Sequence, residues 1–124
     1  MKAKIKRLNK SFTYARNGIW HTLLTQPNMW IHLFSALCTI LLAWALGFNH
    51  LEWAVLLIVI ILVLILEMIN TVAEMLVDIS SPEFSDLARM TKDVAAGSVL
   101  LAATGAILVG AILFIPKFIS LLGF

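Results

Sequence analysis

The sequence predicts an all-α membrane protein, with three transmembrane helices preceded by an amphipathic helix on the membrane surface. Three observations predict it. Hydrophobic residues make up 61% of the 124 residues and charged residues only 13%, and the mean hydropathy is +0.99. A soluble chain of this size has too much surface per volume to hide so much apolar area. The apolar residues fall into three long runs joined by short polar connections. The charges are segregated as well: six of the nine basic residues lie in the first sixteen positions, and no acidic residue precedes Glu52.

Residues 1–28 carry the basic arm, Lys2, Lys4, Lys6, Arg7, Lys10 and Arg16. Phe12, Ala15, Ile19 and Leu23 recur at helical spacing, which predicts a helix lying in the interface. Pro27 ends that helix or opens the next, because the residue before a proline avoids helical geometry. Residues 29–46 form the first spanning segment, without a formal charge. Gly47-Phe48-Asn49-His50 makes a tight connection. Residues 51–78 form a long second helix, and Ile79-Ser80-Ser81-Pro82-Glu83-Phe84 a loop with turn chemistry. Residues 86–115 form the third, with Arg89, Lys92 and Asp93 in its first two turns and Pro116 and Lys117 at its exit. The expected organisation is one domain: a surface helix over 1–28 and a three-helix membrane unit over 29–124.

The basic arm places the N-terminus on the cytoplasmic face. Arg89 and Lys92 place the second loop there too, and Lys117 alone disagrees. A basic arm can meet nucleic acid or anionic lipid; with apolar helices following, lipid is expected and nucleic acid is not. Cys38, the single cysteine, excludes an intrachain disulfide and a cysteine-based metal site.

Glu67, Asn70, Glu74 and Asp78 are spaced three, four and four residues apart, which puts them on one face of the second membrane helix. Ionisable groups at membrane depth are costly and mark function or pairing. Such carboxylates suit a hard divalent cation held together with a nucleotide's phosphates, and a further carboxylate can act as general base toward an alcohol. Lys92 and Asp93 start the next helix at the same membrane face. Carboxylates and a lysine, with a divalent cation, are the parts phosphoryl transfer needs. From spacing alone three readings stand: catalysis, ion or proton translocation, and interhelical ion pairing. There is no glycine-rich phosphate loop, and Ala95-Ala96-Gly97 reads as a close helix-packing surface.

The run Glu67-Met68-Ile69-Asn70-Thr71-Val72-Ala73-Glu74, then Asp78, then Ser81-Pro82-Glu83-Phe84, then Ala88-Arg89-Met90-Thr91-Lys92-Asp93-Val94-Ala95-Ala96-Gly97 resembles the prokaryotic diacylglycerol kinase family, which includes undecaprenol kinase. The family's pattern is roughly E-x-x-N-[ST]-A-[IL]-E-x-x-x-D, a short loop, then A-K-D. Ser11-Phe12, Ala15 and Gly18-Ile19 also look like its surface helix. The resemblance implies a homotrimer of three-spanning protomers in the bacterial cytoplasmic membrane, with active sites between protomers near the cytoplasmic face. It implies transfer of the γ-phosphoryl of ATP, with Mg²⁺, to a membrane lipid hydroxyl. Carried over, Glu67 is the general base. Asn70 and Glu74 hold the metal–nucleotide, Lys92 and Asp93 bind its phosphates, Arg7 is a further nucleotide contact, and Asp78 is on the nucleotide side or structural. The loop and the Lys-Asp-Val-Ala-Ala-Gly run look more like the undecaprenol kinase branch, so undecaprenol is favoured and diacylglycerol comes next.

The sequence departs from the family ahead of the first spanning helix, where the family carries a pattern like E-x-x-F-R. Gln26 stands for the glutamate, Met29 for the phenylalanine and Trp30 for the arginine. An amide oxygen at Gln26 can ligate Mg²⁺ but brings no charge. His21 and His32 read as interfacial or hydrogen-bonded residues. The departures leave two alternatives to a working kinase: a degenerate member that binds lipid or nucleotide without turnover, and a small transporter or assembly protein.

Overall fold

The apolar runs and turn residues resolve into four helices in a computed structural model, which describes residues 2–81, 83 and 85–123. In chain order these are α1 (Lys2–Thr25), α2 (Pro27–Ala45), α3 (His50–Ser80) and α4 (Asp86–Leu121). The last three are long and apolar enough to cross a membrane. At ~1.5 Å per residue α3 is about 46 Å long, against a hydrocarbon core of about 30 Å. The surplus is about ten residues, the length of the polar end from Asn70 to Ser80.

The break between α1 and α2 is written locally. Gln26 takes an extended conformation (φ −110°, ψ 105°) ahead of Pro27, which occupies the first turn of α2. There its missing N–H costs nothing. The Gln26 N–H donates to the Thr22 carbonyl, and the Met29 N–H donates to the Gln26 carbonyl. The Trp30 indole N–H reaches back to the Leu23 carbonyl at 2.8 Å, fastening α2 to the end of α1.

At the far end of α2, Gly47 adopts φ +64°, a left-handed conformation that favours glycine. Asn49 then caps α3 in a reciprocal box. Its side chain accepts the Glu52 N–H at 3.0 Å, and Glu52 accepts the Asn49 N–H at 2.7 Å. Ser85 caps α4 by accepting the Ala88 N–H at 3.1 Å. The turn expected over 81–84 includes Pro82 and Phe84, which lie outside the described residues.

The buried core sits at this Gly47–Asn49 end. Ala43, Phe48, Leu56 and Phe114 are buried together, with Trp53 against them. The Phe48 and Phe114 rings lie 4.8 Å apart between centroids, and Phe48 and Trp53 meet edge to face at 6.1 Å. α3 packs along α4, while α2 and α1 add smaller contacts. Most large apolar side chains point outward, Trp44, Ile58 and Ile107 among them. A bilayer or further copies of the chain would cover them.

One expectation changes. α4 does not end at Pro116 but runs on to Leu121. A proline deletes one N–H, and the intact turns before and after it carry the helix through, with apolar Phe118, Ile119 and Leu121 extending it. Lys117, the one basic residue at odds with the expected orientation, has its ammonium paired with Glu52 at 2.9 Å and 5.7 Å over the Phe48 ring. Gly97 is exposed, and among the described residues a Cβ there would meet nothing within 4 Å, which leaves the small-residue surface open to another helix.

Candidate functional site

The stripe on α3 is graded in exposure. Glu67 is fully buried (0% exposed) and Asn70 nearly so, Glu74 is half-buried, and Asp78 is exposed. Over eleven residues, about 16 Å of helix, the face passes from the protein interior to solvent.

Glu67 has no hydrogen-bond partner at either carboxylate oxygen among the described residues, and the Asn70 carbonyl oxygen has none either. Buried polar groups left unpaired are uncommon and costly. Three such oxygens lie within one turn of helix and can accept hydrogen bonds from, or ligate, a group from outside the described residues. His32 of α2 stands beside Glu67, its Nε2 3.8 Å from Oε2, beyond hydrogen-bond range. Thr71 fixes the turn by donating to the Glu67 carbonyl at 2.9 Å.

Glu74 is fully engaged. The Asn70 side-chain amide donates to its Oε1 at 3.0 Å, and the Gln26 amide donates to its Oε2 at 2.8 Å. Gln26 comes from 48 positions earlier, so this bond ties the α1–α2 break to α3. Lys92 of α4 pairs with Asp78 and so reaches the same stripe one turn further out.

Two cavities meet here. The smaller, about 250 Å³, is lined by Asn28, His32, Glu67 and Asn70 with Ala96 and Val99 of α4. The larger, about 480 Å³, is apolar and runs between α2, α3 and α4 from His32 to Leu56 and Phe114. Ile31, His32 and Ala103 line both. A ligand with a polar head and a long apolar tail fits such a pair, the head beside Glu67 and the tail along the second cavity.

Among the described residues no three His, Cys, Asp or Glu side chains stand together to hold a metal ion. Glu74 and the unpaired Asn70 oxygen offer a carboxylate and an amide oxygen. That donor set suits a hard cation that brings phosphate oxygens and water as its remaining ligands.

The comparisons with known proteins bear on these features. The family model described as prokaryotic diacylglycerol kinase matches residues 13–114. The chain belongs to this family. One relative, a diacylglycerol kinase from Synechocystis sp., is 41% identical over 113 residues, covering 90% of this chain and 65% of that protein. The chain thus spans about two thirds of that relative's length. An undecaprenol kinase from Bacillus subtilis is 32% identical over 114 residues, covering 92% of this chain and 93% of that protein. A diacylglycerol kinase from Helicobacter pylori is 34% identical over 101 residues, with 81% and 79% covered.

Within this family frame, the single chain brings together Glu67, Asn70, Glu74 and Gln26, and it brings Lys92 to Asp78. It does not bring Arg7 or Asp93 to them. Both are exposed, and neither makes a side-chain hydrogen bond or ion pair among the described residues. The sequence reading missed His32 as a neighbour of Glu67 and missed the Gln26–Glu74 bond. A signal for His32 was present: His32, Ser35, Ala36 and Thr39 recur at helical spacing on one face of α2, and all four line the apolar cavity.

Proposed function

We propose that this chain is a membrane lipid kinase that transfers the γ-phosphoryl group of MgATP to a lipid alcohol, with Glu67 as general base. The observation that carries the reading is the Glu67 carboxylate, buried with both oxygens unpaired, where the polar pocket joins the apolar cavity. A lipid hydroxyl there can donate to Glu67 while its tail lies between α2, α3 and α4. Glu67 takes the hydroxyl proton, the hydroxyl oxygen bonds to the γ-phosphorus, and the bond from that phosphorus to the β–γ bridging oxygen breaks. ADP then leaves with the bridging oxygen. Mg²⁺ would supply charge neutralisation at the phosphates, held by Glu74 and Asn70. Gln26 can add only an uncharged oxygen. Lys92 meets phosphate charge from α4, where Asp78 holds it at rest. Burial keeps water from competing with the alcohol.

The preferred acceptor is undecaprenol, with diacylglycerol next. A single channel bounded by three helices suits one long unbranching path better than two acyl chains side by side. The chain acts as a homotrimer in the bacterial cytoplasmic membrane, the N-terminus and the site on the cytoplasmic side. Support comes from the outward-facing apolar side chains; in such a trimer the nucleotide contacts of Arg7 and Asp93 would fall to a neighbouring protomer. α1 (Lys2–Thr25) lies along the membrane surface as the body of an N-terminal unit over 1–28, and residues 29–124 form the spanning kinase unit, whose first helix, α2, already begins at Pro27.

The test is phosphate transfer from labelled MgATP to undecaprenol and to diacylglycerol by purified protein in mixed micelles. Labelled undecaprenyl phosphate is the expected product. Labelled phosphatidic acid alone would reverse the substrate order. No labelled lipid from well-folded protein would favour the degenerate member, a reading to which the departures at Gln26 and Trp30 lend weight.

A further inference from the structure

Glu74 presents a resting state that the proposed reaction has to undo. Its two oxygens are each held by a neutral amide N–H, from Gln26 at 2.8 Å and from Asn70 at 3.0 Å. An ionised carboxylate only accepts hydrogen bonds, so both amides turn their N–H toward it. Among the described residues no cation pairs with Glu74: Lys92 is engaged by Asp78, and Lys117 pairs with Glu52 at the opposite end of α3. The carboxylate is therefore satisfied without any metal.

The same two amides can serve the opposite purpose. Rotating a terminal amide by half a turn exchanges its nitrogen and oxygen while the rest of the side chain stays in place. Gln26 and Asn70 would then present carbonyl oxygens where their N–H groups had been, beside the Glu74 oxygens. The present nitrogen–oxygen separations of 2.8 and 3.0 Å are hydrogen-bond lengths, and the exchange replaces both bonds by ligation. Turning costs Asn70 its bond to Glu74 and puts its N–H groups where the unpaired carbonyl oxygen is now, a loss that ligation of the cation has to offset. Gln26 is held at its backbone by bonds to Thr22 and Met29 and by Pro27 behind it, so its amide can turn about a fixed anchor.

We propose that Gln26 and Asn70 form an amide cap on Glu74 that is exchanged for a divalent cation by rotation of the two amides. Gln26 is thus a positioning residue that closes the site to a bare cation and ligates it once nucleotide arrives. This rests on the kinase reading. One carboxylate and two amide oxygens make a weak cation site, and the two hydrogen bonds to Glu74 compete with it. Phosphate oxygens shift the balance, so the cation enters with the nucleotide rather than before it.

The test is Mn²⁺ binding by full-length protein in detergent micelles, read as loss of the free Mn²⁺ paramagnetic resonance signal. It compares the parent chain, Gln26→Glu and Gln26→Ala, each with and without a non-hydrolysable ATP analogue. Binding of Mn²⁺ alone is expected to be weak in the parent chain and more than roughly tenfold tighter in Gln26→Glu, where ligand charge is added. With the analogue, the parent chain takes up Mn²⁺ and Gln26→Ala does so several-fold more weakly. Mn²⁺ binding alone as tight in the parent chain as in Gln26→Glu would overturn the cap. Equal Mn²⁺–analogue affinity in the parent chain and Gln26→Ala would overturn the ligand role, and that comparison decides the matter even if Gln26→Glu fails to fold. Failure of every chain to take up the analogue would count against the kinase reading. The contrast between the parent chain and Gln26→Glu with Mn²⁺ alone would still judge the cap.

Discussion

Replacing Glu67 by glutamine keeps the side chain's size and removes the acceptor that takes the hydroxyl proton. Positioned general bases contribute about 10²–10⁴ in rate, so kcat should fall by that factor, a loss of about 3–5.5 kcal/mol in transition-state stabilisation. The same site predicts the opposite effect on stability. Glu67 is completely buried, its oxygens are unpaired, and His32 stands 3.8 Å away, so the folded chain carries an unmet polar group. Leaving such a group unsatisfied costs roughly 1–3 kcal/mol. Glu67→Leu, which removes it without opening a hole, should raise stability by up to about that amount. The assays are kcat at saturating MgATP and lipid in mixed micelles, and thermal unfolding of the same preparations followed by circular dichroism. Glu67→Gln retaining more than about a tenth of kcat, or Glu67→Leu losing stability, would refute the reasoning. The first outcome removes the base, and the second shows the carboxylate to be a structural partner in the assembly.

Other substitutions separate the parts of the site. Lys92→Ala should raise KM for ATP and leave KM for lipid unchanged, while stability changes by less than about 1 kcal/mol because the Asp78 pair is partly exposed; steady-state kinetics and melting check both. Gly110 lines the apolar cavity, and a Cβ there meets nothing within 4 Å. Gly110→Leu should therefore fold, obstruct the tail path and raise KM for the lipid alcohol without changing KM for ATP. Phe48→Ala removes the ring between Phe114, Trp53 and Lys117 and should cost about 3–5 kcal/mol of stability. Unfolding in micelles measures that loss, and the carboxylate stripe at the other end should keep its cation response in whatever folded fraction remains.

Much of this molecule was legible in its residues, and the missing parts share a cause. Apolar runs, Pro27, Gly47 and Asn49 mark the helices and breaks because each acts through local backbone preference. The three-four-four spacing of Glu67, Asn70, Glu74 and Asp78 shows the stripe, since helical periodicity alone puts them on one face. Periodicity does not give depth, so the passage from buried Glu67 to exposed Asp78 came from the packing of α2 and α4 on α3. Gln26 and Glu74 are 48 positions apart, and His32 and Glu67 are 35 apart. Such meetings depend on how helices cross. Pro116 misled because its local effect is real but small beside the turns on either side. Arg7 and Asp93 look outward, and among the described residues neither meets a side-chain partner.

The central claim is that a lipid hydroxyl meets Glu67 with its tail in the apolar cavity. The most direct measurement is a structure of the assembled protein with a short-chain isoprenoid alcohol and a non-hydrolysable ATP analogue. The account predicts the hydroxyl oxygen within about 3 Å of a Glu67 oxygen, the tail between His32 and Phe114, and the γ-phosphate on the Glu74 and Lys92 side. An alcohol bound outside that cavity, or a Glu67 carboxylate paired with protein groups while both ligands sit elsewhere, would contradict it.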